Sequence, residues 1–150
     1  MKVVALDVGT KRIGVAKADT SVKIAIPDGT IVVNNGTEFD EIRSILRLNK
    51  TDYVVLGLPR NNQGEETAQS VYVRDFAKKL KAKIPTVKIR FQDESLTSVE
   101  AESRLKSRKG YNFAKGEVDT EAAAIILQDF IESFGGGSAR AESPEEGFEN

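Results

Sequence analysis

The sequence predicts an α/β domain built on a mixed five-stranded sheet, in which an antiparallel meander is extended by parallel strands and flanked by helices. Two apolar runs, residues 2 to 8 and 12 to 18, read as a hairpin around Gly9-Thr10 and start the meander. Further along, apolar runs alternate with segments of helical periodicity, the pattern of parallel strands joined by crossover helices. A length of 150 residues suits one domain with a proper core, or one domain plus a tail.

Each element has its own signal. Val3, Val4, Ala5, Leu6 and Val8 read as a buried central strand that returns through residues 12 to 18. A third strand region, about 22 to 33, is interrupted by Pro27-Asp28-Gly29, a turn signal. Residues 37 to 49 carry Phe39, Ile42, Ile45 and Leu46 at helical spacing behind Thr37 as the candidate cap. Tyr53 to Leu58 is a continuous apolar run closed by Pro59, as in a buried strand. Residues 66 to 83 place Val73, Phe76, Ala77 and Leu80 on one helical face. Val87 to Phe91 is a further strand, and 97 to 108 a short helix. Residues 119 to 134 form an amphipathic helix through Ala123, Ile126, Leu127, Phe130, Ile131 and Phe134. The domain therefore spans 1–134, and the Gly-, Ser- and Glu-rich segment 135–150 reads as a disordered acidic tail.

Composition narrows the chemistry. There is no Cys and no His, which excludes thiolate zinc sites, cysteine nucleophiles, Ser-His-Asp catalysis and imidazole acid–base cleavage. The remaining tools are carboxylates, Lys, Tyr, hydroxyls and backbone amides, whose natural partners are hard cations such as Mg²⁺. The formal charge is −1, but the tail holds one Arg and four Glu, leaving the first 134 residues at +2. With no membrane-length apolar stretch and no signal-type N-terminus, a cytoplasmic protein without membrane contact is expected.

Three carboxylates stand at the ends of elements. Asp7 closes an apolar run just before Gly9, where it either caps the turn or faces a ligand; burial there demands a hydrogen bond, a cation or a metal. Glu94 follows the polar parity of its strand with Lys88, Arg90 and Gln92, while Thr97 with Glu100 offers a competing helix-start explanation. Asp119 opens the last predicted helix, where a cap is ordinary. Three such acids in a chain lacking His and Cys make a better case for a metal site than any one alone.

Residues 103 to 116 hold five cations and no acid, among them Arg104, Arg108, Lys109 and Lys115, interleaved with Tyr111 and Phe113. Cations neutralise phosphates and aromatics stack on exposed bases, so this segment is a candidate nucleic-acid contact. The loop from Pro59 through Arg60, Asn61 and Gly64 to Glu65 follows a buried strand and is rich in donors, as ligand loops of α/β folds are.

The sequence resembles the YqgF/RuvX family, described as pre-16S rRNA nucleases and earlier as Holliday junction resolvases. The match lies in Asp7 to Ala16, in Gly57-Leu58-Pro59 with Asn61 and Gly64, in Asp93-Glu94 with Leu96-Thr97-Ser98, and in Lys115-Gly116 with Val118-Asp119 and Ala122 to Leu127. The blocks span almost all of residues 1 to 134, in order. The resemblance implies an RNase H-like fold with Asp7, Glu94 and Asp119 as the acidic metal-binding and catalytic set. It implies hydrolysis of phosphodiester bonds in RNA or branched DNA, leaving a 5′-phosphate and a 3′-hydroxyl. Two Mg²⁺ or Mn²⁺ ions, about 4 Å apart, would activate water and stabilise the departing oxygen. Lys11, Arg12 and the cations of 104–115, with Arg60, Asn61 and Tyr111, would then hold the nucleic acid. The family pattern has Arg after the Asp-Glu pair, where this chain has Ser95. Asp-Val-Gly-Thr also resembles the first phosphate loop of actin-like ATPases and sugar kinases, which need two such lobes where this chain has one. A catalytically weakened nucleic-acid-binding module is the other alternative, and monomer and homodimer both remain open.

Overall fold

The computed structural model describes residues 1–94, 97–109, 114–134 and 141–142. Strands β1 (Lys2–Val8) and β2 (Arg12–Asp19) form the expected hairpin, with Asp7 opposite Gly14 and Val8 opposite Ile13. Its turn closes by a hydrogen bond from the Gly9 amide to the Arg12 carbonyl at 3.0 Å. A Cβ at position 9 would lie 2.6 Å from that carbonyl oxygen, so the turn needs glycine for space.

Strand β3 (Ile26–Val32) runs straight through Pro27-Asp28-Gly29, correcting the turn expected there. Two features make this tolerable. It is an edge strand, where a proline forfeits no ladder bond, and its pairing with β2 shifts register between Gly14 and Ala16, with Gly29 at φ 91°.

Helix α1 (Thr37–Leu48) buries Phe39 and Ile42 as its spacing predicts. Its cap is Gly36 rather than Thr37, and the Glu38 carboxylate reaches back to accept from the amides of Asn34 and Gly36, both at 3.0 Å. Strand β4 (Tyr53–Pro59) lies parallel between β1 and β5 (Ile89–Glu94), with α2 (Ala68–Lys83) as the crossover. Helix α3 spans Thr97–Lys109, and α4 spans Lys115–Phe134, beginning four residues before the predicted start. Ala141–Glu142 forms a two-residue strand, β6, antiparallel to Phe91 and Gln92 on the edge of β5. That short pairing lies inside the segment expected to be disordered, and the unpaired backbone of an edge strand is what attracts it.

The strand order is β3-β2-β1-β4-β5-β6. On one face Val4, Leu6, Val8, Leu56, Leu58 and Phe91 pack under α1 and α2, with Phe39 stacked on Phe76 at 5.2 Å. On the other, Val3, Ala5, Ala16, Ala18 and Val55 pack against Ala123, Ile126, Leu127 and Phe130 of α4. Small residues dominate that second sheet face, which lets α4 lie close to the strands. Helix α3 rests on α4 through Ala101, Ala122 and Ile125. Among the described residues no helix is long and apolar enough to cross a membrane.

Candidate active site

Strand parity puts Asp7 on the α4 face of the sheet. It alternates with Val3 and Ala5, which pack under α4, whereas Val4, Leu6 and Val8 point to the opposite core. Glu94 ends β5, opposite Pro59, and shares its parity with Gln92, opposite Gly57. A Cβ at Gly57 would lie 2.4 Å from Ile126 Cδ1 and 3.6 Å from Glu94 Cγ, so Gly57 and Glu94 face α4 as well. The polar parity of this strand becomes an interior seam only towards its C-terminal end, where Gln92 is fully buried, while Lys88 just ahead of β5 is exposed.

Asp119 arrives from the helix. Because α4 starts at Lys115, Asp119 is its fifth residue and no cap, which removes the ordinary explanation for an acid at this position. Two contacts fix it over the sheet. A Cβ at Gly14 would fall 1.9 Å from the Asp119 carbonyl oxygen, so only glycine lets α4 settle there. Next to it, the Thr120 hydroxyl donates to the Val15 carbonyl at 2.6 Å and accepts from the amides of Asp28 and Gly29 at 3.1 and 3.0 Å. One hydroxyl therefore satisfies backbone groups that the β2–β3 irregularity takes out of the ladder. Since Gly14 pairs with Asp7, the same contact that seats α4 brings Asp119 beside Asp7.

The electrostatics reflect that approach. Burial, and secondarily the charge of Asp119, push the Asp7 carboxyl up from the ordinary 3.8 to about 6. No hydrogen bond to the Asp7 carboxylate is found among the described residues, so it does not cap its turn. Arg12 Nε donates to Asp119 Oδ2 at 2.5 Å. The guanidinium expected on a phosphate thus meets a carboxylate in the folded chain. Glu94 stands two strands from Asp7 and further along the sheet. Among the described residues the acids do not close into a three-ligand cluster. The donor set is nevertheless oxygen only, and two of its carboxylates lie close enough for one to disfavour ionisation of the other. A hard divalent cation is the ligand that chemistry fits.

The remaining candidates are placed unevenly. Lys11 is exposed in the hairpin turn, and Lys115 is exposed at the start of α4. The Arg60 amide donates to the Glu94 carbonyl at 2.8 Å, while its side chain pairs with Asp93 at 3.1 Å and Glu66 at 3.6 Å. Arg74 holds Glu66 through two hydrogen bonds, at 2.7 and 2.9 Å, which keeps the Glu66 carboxyl below its usual range. Asn61 folds its own loop: its Oδ1 accepts from the amides of Gln63 and Glu65, and its Nδ2 donates to Glu65 Oε1.

Within the basic segment, residues 103–109 belong to α3 and 115–116 open α4. Arg104 and Arg108 lie on α3, and both reach Glu121 of α4, at 4.0 and 2.8 Å. Lys109 is the last residue of α3, and Ser95, Tyr111 and Phe113 lie outside the described residues. Gly14, Thr120 and Glu121 escaped sequence reasoning as site-forming residues. Gly14 sits inside the first motif, but nothing local marks the helix that descends on it, and a threonine or glutamate within a helix carries no signal by itself.

Comparisons with known proteins bear on the family and the fold. The sequence profile of the RuvX family, described as Holliday junction resolvase, matches residues 1–133. A protein of Synechocystis sp. named "Putative pre-16S rRNA nuclease" is 37% identical over 129 residues, covering 85% of this chain and 84% of its own. One of the same name from Crocosphaera subtropica is 40% identical over 129 residues, covering 85% and 90%. Another, from Fusobacterium nucleatum, is 37% identical over 131 residues, covering 86% and 95%. In three dimensions the chain is similar to Thermus thermophilus RuvC, solved with a Holliday junction substrate, at a TM-score of 0.55 and 15% identity, covering 95% of this chain and 99% of that one. At that identity the likeness speaks for the fold, the RNase H-like arrangement of a mixed sheet between helices.

Proposed function

The chain belongs to the RuvX family of nucleases, and from that premise we propose that it cleaves phosphodiester bonds of a 16S rRNA precursor during ribosome assembly, with the help of divalent cations. The observation that carries the reading is the pairing of Asp7 with Asp119 across the seam between sheet and α4, with Glu94 facing the same seam. Asp119, inside α4, is no helix cap, and Asp7 does not cap its turn. Asp7, Asp119 and Glu94 would hold the ions, Mg²⁺ or Mn²⁺. Such ions supply an acidified water and a Lewis acid for the departing oxygen, so a histidine base is not required. The chain's own part is to fix two carboxylates on rigid elements and to keep Asp7 partly out of water, where its charge acts through a lower dielectric. Lys11 and Lys115 flank the seam in solvent and suit contacts to neighbouring phosphates. The α3 cations suit a longer-range attraction for the nucleic acid, since Arg104 and Arg108 also serve Glu121.

A second reading, resolution of branched DNA, draws on the family's description and on the fold shared with RuvC. One experiment separates the two. A 5′-extended 16S precursor and a four-way DNA junction are incubated with the protein, with Mg²⁺ or with chelator. Cleavage confined to the RNA with Mg²⁺ supports the first reading, and cleavage confined to the junction supports the second. Cleavage unaffected by chelator would dismiss the divalent-ion chemistry.

A further inference from the structure

The Arg12–Asp119 pair joins residues 107 positions apart, and both side chains are mostly shielded, at 33% and 21% exposed. Arg12 opens β2 and Asp119 sits in the second turn of α4, so the contact bridges the seam where Asp7 also stands. Two carboxylates and one guanidinium make up this group. Gly14 and Thr120 lock α4 to the sheet, so the carboxylates cannot separate by a helix shift. A positive charge at this seam offsets their mutual repulsion when both are ionised.

We propose that Arg12 is the built-in counter-ion of this site: in the metal-free protein it neutralises Asp119 beside Asp7, and a divalent cation must displace it from Asp119 to bind. The inference rests on the divalent-ion nuclease reading and adds a role that the sequence, which pointed Arg12 at phosphate, did not suggest. The form of the contact supports a charge-balancing role over an orienting one. Nε alone meets Oδ2, whereas a two-pronged guanidinium contact would fix the carboxylate plane. A guanidinium and a divalent ion also repel each other strongly when they share one carboxylate in a partly buried setting. The two are therefore competitors.

The test uses the full chain, stripped with chelator and titrated calorimetrically with Mn²⁺ and with Mg²⁺. Arg12→Gln should bind Mn²⁺ at least about tenfold more tightly than the parent, because one repelling charge is gone. Its metal-free Tm should fall and be restored by Mn²⁺. Arg12→Lys keeps the charge and should stay within about threefold of the parent affinity. If Arg12→Gln does not fold without metal, competition between the Mn²⁺-loaded protein and an indicator chelator reads the same constant. Affinity in Arg12→Gln equal to or weaker than the parent's overturns the proposal alone, since Arg12 would then orient Asp119. A parent protein that binds neither ion overturns the nuclease reading together with it.

Discussion

Asp7 is a carboxylate that this fold makes costly to ionise. Its folded value of about 6 lies above the ordinary 3.8, so between those pH values the native state holds a proton that the unfolded chain releases. Stability from this group is therefore full below about pH 4, falls as pH rises towards 6, and is lost above it, a penalty of roughly 3 kcal/mol. Asp7→Asn keeps the shape and removes the charge. In metal-free protein at pH 7.5 it should raise Tm by roughly 6–12 °C, and at pH 4 the gain should vanish. The same variant should abolish Mg²⁺-dependent cleavage and lose the stabilisation that Mg²⁺ gives the parent, while most RNA affinity remains. Melting curves across pH, with and without Mg²⁺, check the first part. Retained turnover in a nuclease-free preparation would remove Asp7 from the catalytic set.

At the scale of elements, the seating of α4 decides whether the acids meet. Gly14→Ala forces a methyl group against the Asp119 carbonyl, where only 1.9 Å is open, so α4 must lift. The expected cost is about 2 kcal/mol or more, with loss of cleavage from an otherwise folded protein. Thr120→Val keeps the volume but strands the Val15 carbonyl and the amides of Asp28 and Gly29. It should cost about 1–2 kcal/mol in chemical denaturation, whereas Thr120→Ser should remain near the parent. Helix α3 carries a different expectation. Replacing Arg104, Arg108, Lys109 and Lys115 with Gln should weaken RNA binding and flatten its dependence on salt, because fewer counterions are released. Those changes also leave the buried Glu121 carboxylate without its cations, so the variant should be less stable, and adding Glu121→Gln should recover stability without recovering affinity. An unchanged slope of log affinity against log salt would show that these cations do not meet phosphate.

For the whole molecule, the C-terminal segment is the piece whose removal should matter least. Its described contact is the two-residue strand β6, which adds backbone pairing at Phe91 and Gln92. Each such hydrogen bond is worth about 1 kcal/mol net, and ordering the chain that makes it costs a similar amount. Truncation after Gly135 should thus leave Tm nearly unchanged and keep metal-dependent cleavage. Removal of the segment's net charge of −3 should strengthen RNA binding modestly at low salt and have no effect at high salt. A large fall in Tm would mean that β6 and its neighbours complete the domain.

Periodicity and composition by themselves determined the meander, the crossovers, the apolar faces of the helices and the three acids worth suspecting. Those features are written in spacing along the chain: two for strands such as Val3-Ala5-Asp7, three and four for helices such as Phe39-Ile42-Leu46, and the absence of His and Cys for the chemistry. Local signals misled where a neighbour overruled them. Pro27-Asp28-Gly29 resembles a turn, yet edge position and the Thr120 hydroxyl hold it in β3. Only the tertiary structure decided that Asp119 lies in the second turn of α4, that Gly14 opens the space for it beside Asp7, and that Arg12 answers its charge. The reason is physical: burial and ion pairing depend on which surfaces come together, and residues 107 apart carry no local trace of each other.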